Sequence, residues 1–259
     1  MSYSTRSYAR GFLSHSSLPT AVRWLLISNT AMFLIFFFAV RFGVGLSLFR
    51  HLELIPREAV TGSIWQLVTY MFLHDPNGFL HILFNMLALW MFGKDLEVMW
   101  GTERFVRYYF TCGIGAGLCA VIGGYIVGDS YSATIGASGA IFGLLLAFGI
   151  TFPDAIIIMI IFPIKAKYFV MIAGGMAIMG AFLTNSGVSN SAHIGGLLVG
   201  YISLKTWMVK ARSRRFGSST SIFDKVREQY QAWKLQRAKK KFQVYLKKHG
   251  GGGSGPFVN

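Results

Sequence analysis

The sequence predicts an all-α integral membrane protein, a six-transmembrane-helix bundle with an interfacial first loop. Three observations predict it. Hydrophobic residues make up 53% of the 259-residue chain and charged residues 14%, against ~25% charged in soluble domains. Six apolar runs approach the ~20 residues that a helix needs to cross a bilayer. Several of those runs carry glycines at the spacing that lets membrane helices meet backbone to backbone.

Residues 1–20 are polar, Ser-rich and acid-free, with Arg6 and Arg10. No apolar core follows closely enough for a cleavable signal, so a cytoplasmic N-terminal segment is expected. A mitochondrial presequence has a similar composition. The first span is Ala21–Val40. Residues 41–78 form a long loop rich in aromatics, including Trp65 and Tyr70, the type of segment that rests in the membrane interface. The second span begins at Phe79–Phe92 and carries His81 and Asn85. Lys94, Asp95, Glu97, Glu103, Arg104 and Arg107 surround the expected turn after it. Tyr108–Val127 is the third span, with five glycines for close packing. Ser138–Phe152 is the fourth, stopped at Pro153. Ala155–Ile164 is apolar but too short to cross as a helix and is placed at the interface. Tyr168–Leu183 and Ala192–Val209 are the fifth and sixth spans. The core thus covers residues 21–209.

Net charge is +15, and fourteen of the 25 Lys and Arg lie from Lys205 onward. Residues 210–249 read as a basic cytoplasmic tail. Phe223, Val226, Tyr230 and Trp233 at helical spacing suggest an amphipathic helix on anionic lipid; a solvated basic helix fits the pattern equally. Nucleic-acid binding need not be invoked. Residues 250–259 are a flexible Gly/Ser linker. Lys and Arg in the loops between spans two and three and between spans four and five, together with the tail, place both termini in the cytoplasm. Arg41, Arg50 and Arg57 in the long first loop run against that rule. Cys112 and Cys119 are seven residues apart in one apolar run. Two helical turns separate them by ~10 Å, too far for a disulfide, so packing is expected. No Cys/His spacing suits a metal, and no cofactor is implied.

Three polar residues share one depth. His81 lies 13 residues before Lys94, Ser138 lies 14 before Phe152, and His193 lies 14 before Trp207. At ~1.5 Å per residue each sits about 20 Å from the inner boundary, hence about 10 Å below the outer surface of a ~30 Å hydrocarbon core. Asn85 is one turn below His81 on the same face. Gly139 and Gly143 on span four, and Gly196 and Gly200 on span six, are four-residue glycine pairs that begin just after the polar residue. If those faces pack, Ser138 and His193 are opposed. Ser138 as nucleophile needs a base, and His193 is the available one. No carboxylate is expected at this depth, with Asp129 in a loop and Asp154 and Glu97 at the inner side, so a dyad is expected. Phe142 can hold the imidazole by stacking. Asn85, His81 and the Ser138 backbone N–H can serve as oxyanion donors. An interhelical hydrogen bond without chemistry is the alternative for His81 and Asn85.

These motifs resemble the rhomboid intramembrane serine proteases: Gly136-Ala137-Ser138-Gly139, Ala192-His193-Ile194-Gly195-Gly196 and His81-Ile82-Leu83-Phe84-Asn85, in the family's order over about residues 21–209. The resemblance implies Ser138 as nucleophile, His193 as base, and His81 and Asn85 as oxyanion contributors. It also implies the six-helix bundle with an interfacial first loop. Two positions depart from the family. Its Trp-Arg pair reads Trp65-Gln66, and the tyrosine often found one turn after the serine is Phe142. The expected function is a serine endopeptidase acting on membrane-anchored proteins near the outer face of a bacterial inner membrane. The alternative is a non-catalytic member of the fold that binds and escorts membrane clients. A channel or transporter ranks third, because no inverted repeat or acidic path is visible.

Overall fold

The computed structural model describes residues 18–159, 162–183 and 187–216, with Lys234 and Arg237. The proposed amphipathic tail helix at Phe223–Trp233, the linker 250–259 and most of segment 1–20 lie outside the described residues. The chain divides into two compact units, Met1–Trp207 and Met208–Asn259.

The fold is almost wholly helical. Helix α1 (Thr20–Arg41) ends at a turn where Gly43 and Gly45 adopt positive φ. The following loop is folded rather than irregular: α2 (Leu46–Leu52), α3 (Pro56–Val60), α4 (Gln66–Thr69) and a 3-10 turn, Tyr70–Phe72. Pro56 opens α3, where a missing N–H is harmless. Helices α5 (Phe79–Trp100) and α6 (Thr102–Ile126) follow, then α7 (Ser138–Thr151), α8 (Ala166–Leu183) and α9 (Gly187–Phe216).

Helices α1, α5 and α6 are long and apolar enough to cross a membrane; Ser138–Thr151 and Ala166–Gly180 are shorter apolar helices. Large apolar side chains are exposed in rows on α1, α5 and α8, among them Phe38, Phe84 and Met171. A water-soluble surface does not carry such rows; lipid covers them, and the protein is an integral membrane protein. Helix α6 is the centre of the bundle. Half of its apolar window is buried, against a third for α1 and α5. Phe105, Tyr108 and Tyr109 of α6 are fully buried.

The all-α expectation is corrected at one place. The segment after α7 is not helical but an antiparallel hairpin, β1 (Ile156–Met159) with β2 (Phe162–Lys165), Ile156 opposite Lys165. Its β-branched isoleucines favour a pleated strand, so the all-α expectation holds only outside it. The turn after the second span falls among the charged residues expected to surround it. Helix α5 continues to Trp100, and the break comes at Gly101, whose φ of 80° ends it before α6 starts at Thr102. Glu97, on the α5 side of that turn, is buried. Its carboxylate accepts the N–H groups of Ala21 (2.9 Å) and Val22 (2.8 Å) and the Thr102 hydroxyl (2.7 Å). It thereby caps α1, whose own start at Pro19 offers no side-chain cap.

The first loop is tied to the turn that precedes α7. Leu54 and Thr134 exchange backbone hydrogen bonds of 3.1 and 2.8 Å. Arg57 donates to the Ser130 carbonyl through its backbone and to the Tyr131 hydroxyl through its guanidinium. Gln66 is fully buried. Its Oε1 accepts the Ile55 N–H at 3.1 Å and its Nε2 donates to the Glu58 carboxylate at 2.8 Å. The residue that departs from the family pattern is therefore an internal tie of the loop. Cys112 and Cys119 are free thiols, Cys112 buried in the core.

Candidate active site

The turn into α7 is set by Gly136, whose φ of 117° is closed to ordinary side chains. Its N–H donates to the Tyr70 carbonyl at 2.9 Å. A Cβ there would also stand 2.9 Å from His81 Nε2. Only glycine lets the chain reverse this close to the imidazole. The chain then enters α7 at Ser138. The first backbone bond into that helix runs from Ile141 N–H to Ala137 O, so the Ser138 and Gly139 N–H groups are among the unpaired donors of a helix start.

Glycine packing brings α7 and α9 together. A Cβ at Gly196 would collide with the Gly139 carbonyl oxygen, one at Gly143 would lie 3.2 Å from the Gly196 oxygen, and one at Gly200 would lie 3.1 Å from Gly143 Cα. The four glycines form one contact in which the backbones touch. The Tyr108 hydroxyl donates to the Gly143 carbonyl at 2.9 Å, locking α6 onto the same place.

This contact sets Ser138 Oγ 2.8 Å from His193 Nε2. For Ser138 to donate, Nε2 must be the unprotonated nitrogen, which selects the Nδ1–H tautomer. The Phe142 ring lies parallel to the imidazole, 4.5 Å between centroids and 19° between planes. Among the described residues no carboxylate hydrogen-bonds His193. A cavity of about 290 Å³ opens over the pair, lined by Ser138, Gly139, His193, His81, Tyr70 and Asp75 among others.

His81 reaches the cavity and packs against His74, centroids 5.1 Å apart. Asn85 is buried behind it, outside the lining, and its Nδ2 donates to the His81 carbonyl at 2.7 Å. An amide nitrogen carries two hydrogens, so one donor remains after that bond. Two lining residues had escaped the sequence reasoning. Tyr70, in the first loop, donates its hydroxyl to Gly113 O at 2.7 Å. Asp75 corrects the expectation that no carboxylate lies at this level. Counting along spans located carboxylates within helices, whereas Asp75 belongs to the connection before α5. Its neighbour His74 is buried, which lowers its pKa to about 3; His81 adds to the effect and the Phe72 backbone opposes it. Among the described residues no cluster of His, Cys, Asp and Glu could hold a metal ion.

The fold and the site together define a class, an integral membrane protein with a Ser–His pair in a polar cavity between its helices. Residues 61–210, more than half of the chain, match the Rhomboid domain, and the chain belongs to the rhomboid family. It is 33% identical over 184 residues to Rhomboid protein 1, mitochondrial, of Saccharomyces cerevisiae, covering 66% of this chain and 50% of that protein. It is 31% identical over 180 residues to the Putative rhomboid protease YdcA of Bacillus subtilis, covering 66% and 84%. It is 32% identical over 158 residues to the Rhomboid protease AarA of Providencia stuartii, covering 55% of each. The chain thus spans about half the length of the yeast and Providencia relatives.

Proposed function

We propose that the protein is an intramembrane serine endopeptidase that hydrolyses peptide bonds of membrane-anchored proteins. The observation that carries this reading is the 2.8 Å contact of Ser138 Oγ with His193 Nε2 inside a cavity of the bundle. Relatives named as rhomboid proteases support it.

Ser138 Oγ attacks the carbonyl carbon while His193 Nε2 takes its proton. The tetrahedral oxyanion is met by the Ser138 N–H, His81 and the free hydrogen of the Asn85 amide. His193 passes the proton to the leaving amine nitrogen, and the C–N bond breaks to leave an acyl ester on Ser138. Water then attacks the ester, His193 takes the water's proton and returns it to Ser138, and the new carboxyl terminus departs. Phe142 restrains the imidazole by stacking on its face, with no carboxylate on Nδ1–H among the described residues as a Ser-His-Asp triad would have. Asn85→Ala is expected to lower kcat by roughly 10–1,000-fold, the scale for losing one such donor.

Helix α7 has 14 residues, so at ~1.5 Å each it is about 21 Å long, short of a ~30 Å hydrocarbon core. That length supports a serine sunk beneath one membrane face. In this reading α1 and α5–α9 are six spans of one core, residues 21–209. The first loop rests in the interface on the outer side, and both termini are cytoplasmic. The basic tail, 210–249, rests on anionic lipid, and the membrane is a bacterial inner membrane. Reporters fused after Ser189 and Lys167 should then report opposite sides.

The deciding experiment is labelling by a fluorophosphonate serine probe together with cleavage of a membrane-anchored substrate. Both should occur in the unsubstituted protein and vanish in Ser138→Ala. Absence of both from folded, unsubstituted protein would move the reading to a client-binding member without catalysis.

A further inference from the structure

The cavity over Ser138 has an uneven charge. The chain as a whole carries a formal +15, yet no Lys or Arg lines the cavity. Its lining consists of two imidazoles, hydroxyl groups, small or apolar residues and one carboxylate, Asp75. Asp75 Oδ1 accepts the Asn77 N–H at 2.9 Å. Oδ2 takes no hydrogen bond among the described residues, and Asp75 forms no ion pair there. Arg41, at the end of α1, donates to Asn77 Oδ1 at 3.4 Å on the exposed side. Asp75 and His81 line the same cavity, and His81 lies against the Gly136 turn that leads into Ser138. A carboxylate with an open oxygen, held by an Asx-type turn in a partly desolvated cavity, acts on any charge brought beside it.

We infer that Asp75 is a specificity-determining residue: its carboxylate favours substrate segments that bring a lysine or arginine beside the bond facing Ser138 and disfavours segments that bring an acid. The inference rests on the proteolytic reading above. At about 290 Å³ the cavity is at the small end of ligand sites, so the selected residue lies within a few positions of the scissile bond. A cation there meets the Asp75 carboxylate, whose Oδ2 lies beside Gly78 and takes no hydrogen bond among the described residues. An acidic residue there faces a like charge in the same confined space, and that repulsion is what separates two otherwise equal substrates.

The test uses the full-length protein in vesicles of neutral phosphatidylcholine, so that lipid charge plays no part. Matched membrane-anchored substrates carry Lys, Gln or Glu in turn at each of the three positions on either side of the cut. At one or more positions the ratio of kcat/KM for Lys over Glu should be about tenfold, the scale of a partly exposed charge pair gained in one substrate and a repulsion met in the other. The ratio should shrink as salt rises from 50 to 500 mM, because screening weakens such contacts. It should fall towards one in Asp75→Asn and stay in Asp75→Glu. A ratio near one at every position in the unsubstituted protein overturns the proposal, as does a ratio that Asp75→Asn leaves intact. If Asp75→Asn does not fold, Asp75→Ser is read in the same way, and the unsubstituted ratio with its salt dependence still decides. No cleavage of the Gln substrates by folded protein overturns the protease reading itself, an outcome distinct from equal cleavage of all three.

Discussion

The Phe142 ring lies flat on the His193 imidazole, 4.5 Å from centroid to centroid with 19° between the planes. The two residues come from α7 and α9, so the stack forms only when the glycine faces of those helices have met. It restricts ring rotation while Nε2 points at Ser138. Phe142→Leu keeps the apolar volume but removes the ring. Aromatic stacking is worth about 0.5–1.5 kcal/mol, so kcat should fall roughly 2–10-fold with KM little changed, while Phe142→Tyr retains the rate. Steady-state kinetics on one membrane-anchored substrate measures this. A lower kcat in Phe142→Tyr than in Phe142→Leu would contradict a positioning role for the ring.

The contact of α7 with α9 has no room for a methyl group. Gly196→Ala drives a Cβ into the Gly139 carbonyl oxygen, and since that obstacle is backbone the helices must separate. A loss of about 3 kcal/mol or more is expected, at or above the upper end of overpacking effects. Gly175→Ala on α8 meets nothing within 4 Å and should be neutral or stabilising by up to about 1 kcal/mol, the helix-propensity gain. Thermal unfolding in detergent compares the two variants. Similar midpoints for both would remove the glycine contact as the determinant.

Glu97 satisfies three donors at the start of α1 and α6. Glu97→Ala strands them in a buried place and should destabilise by about 1–3 kcal/mol or more, the cost of leaving a buried polar group unsatisfied. Glu97→Gln keeps one acceptor oxygen and should lose less. Hydrogen exchange of the Ala21 and Val22 amides gives the local readout. Unaltered protection in Glu97→Ala would mean that another group caps the helix.

His74 supplies a pH dependence. Its pKa is lowered in the fold to about 3, first by burial and then by the neighbouring His81. The unfolded chain has the ordinary value near 6.5 and therefore binds more protons between the two values. This contribution to stability is fully present above about pH 6.5 and is lost as pH falls towards 3. The thermal midpoint should drop between pH 7.5 and pH 5 in the unsubstituted protein and drop less in His74→Gln. Parallel shifts in both proteins would assign the effect elsewhere.

The sequence alone marked the apolar segments and the level of their polar residues relative to one another, and His81, Ser138 and His193 do line one cavity. The reason is that helices rise by a constant amount per residue and that lipid demands internally satisfied backbone. Ser138, His81 and His193 could therefore be assigned to one layer by counting, and the glycine pairs at 139 and 143 and at 196 and 200 marked which faces could meet. Counting does not tell how far a helix is rotated about its axis or what a connection does between spans. Tertiary structure decided that Asn85 turns its amide onto the His81 carbonyl and that Glu97 reaches 76 residues back to cap α1. It also decided that Gln66 ties the first loop together and that Asp75 enters the cavity. Apart from the Asn85 bond, which spans one turn of α5, each of these joins groups whose geometry has no period along the chain. A hydrogen bond or a charge is placed by the path of the backbone in three dimensions, and a local pattern of residue types carries no record of that path.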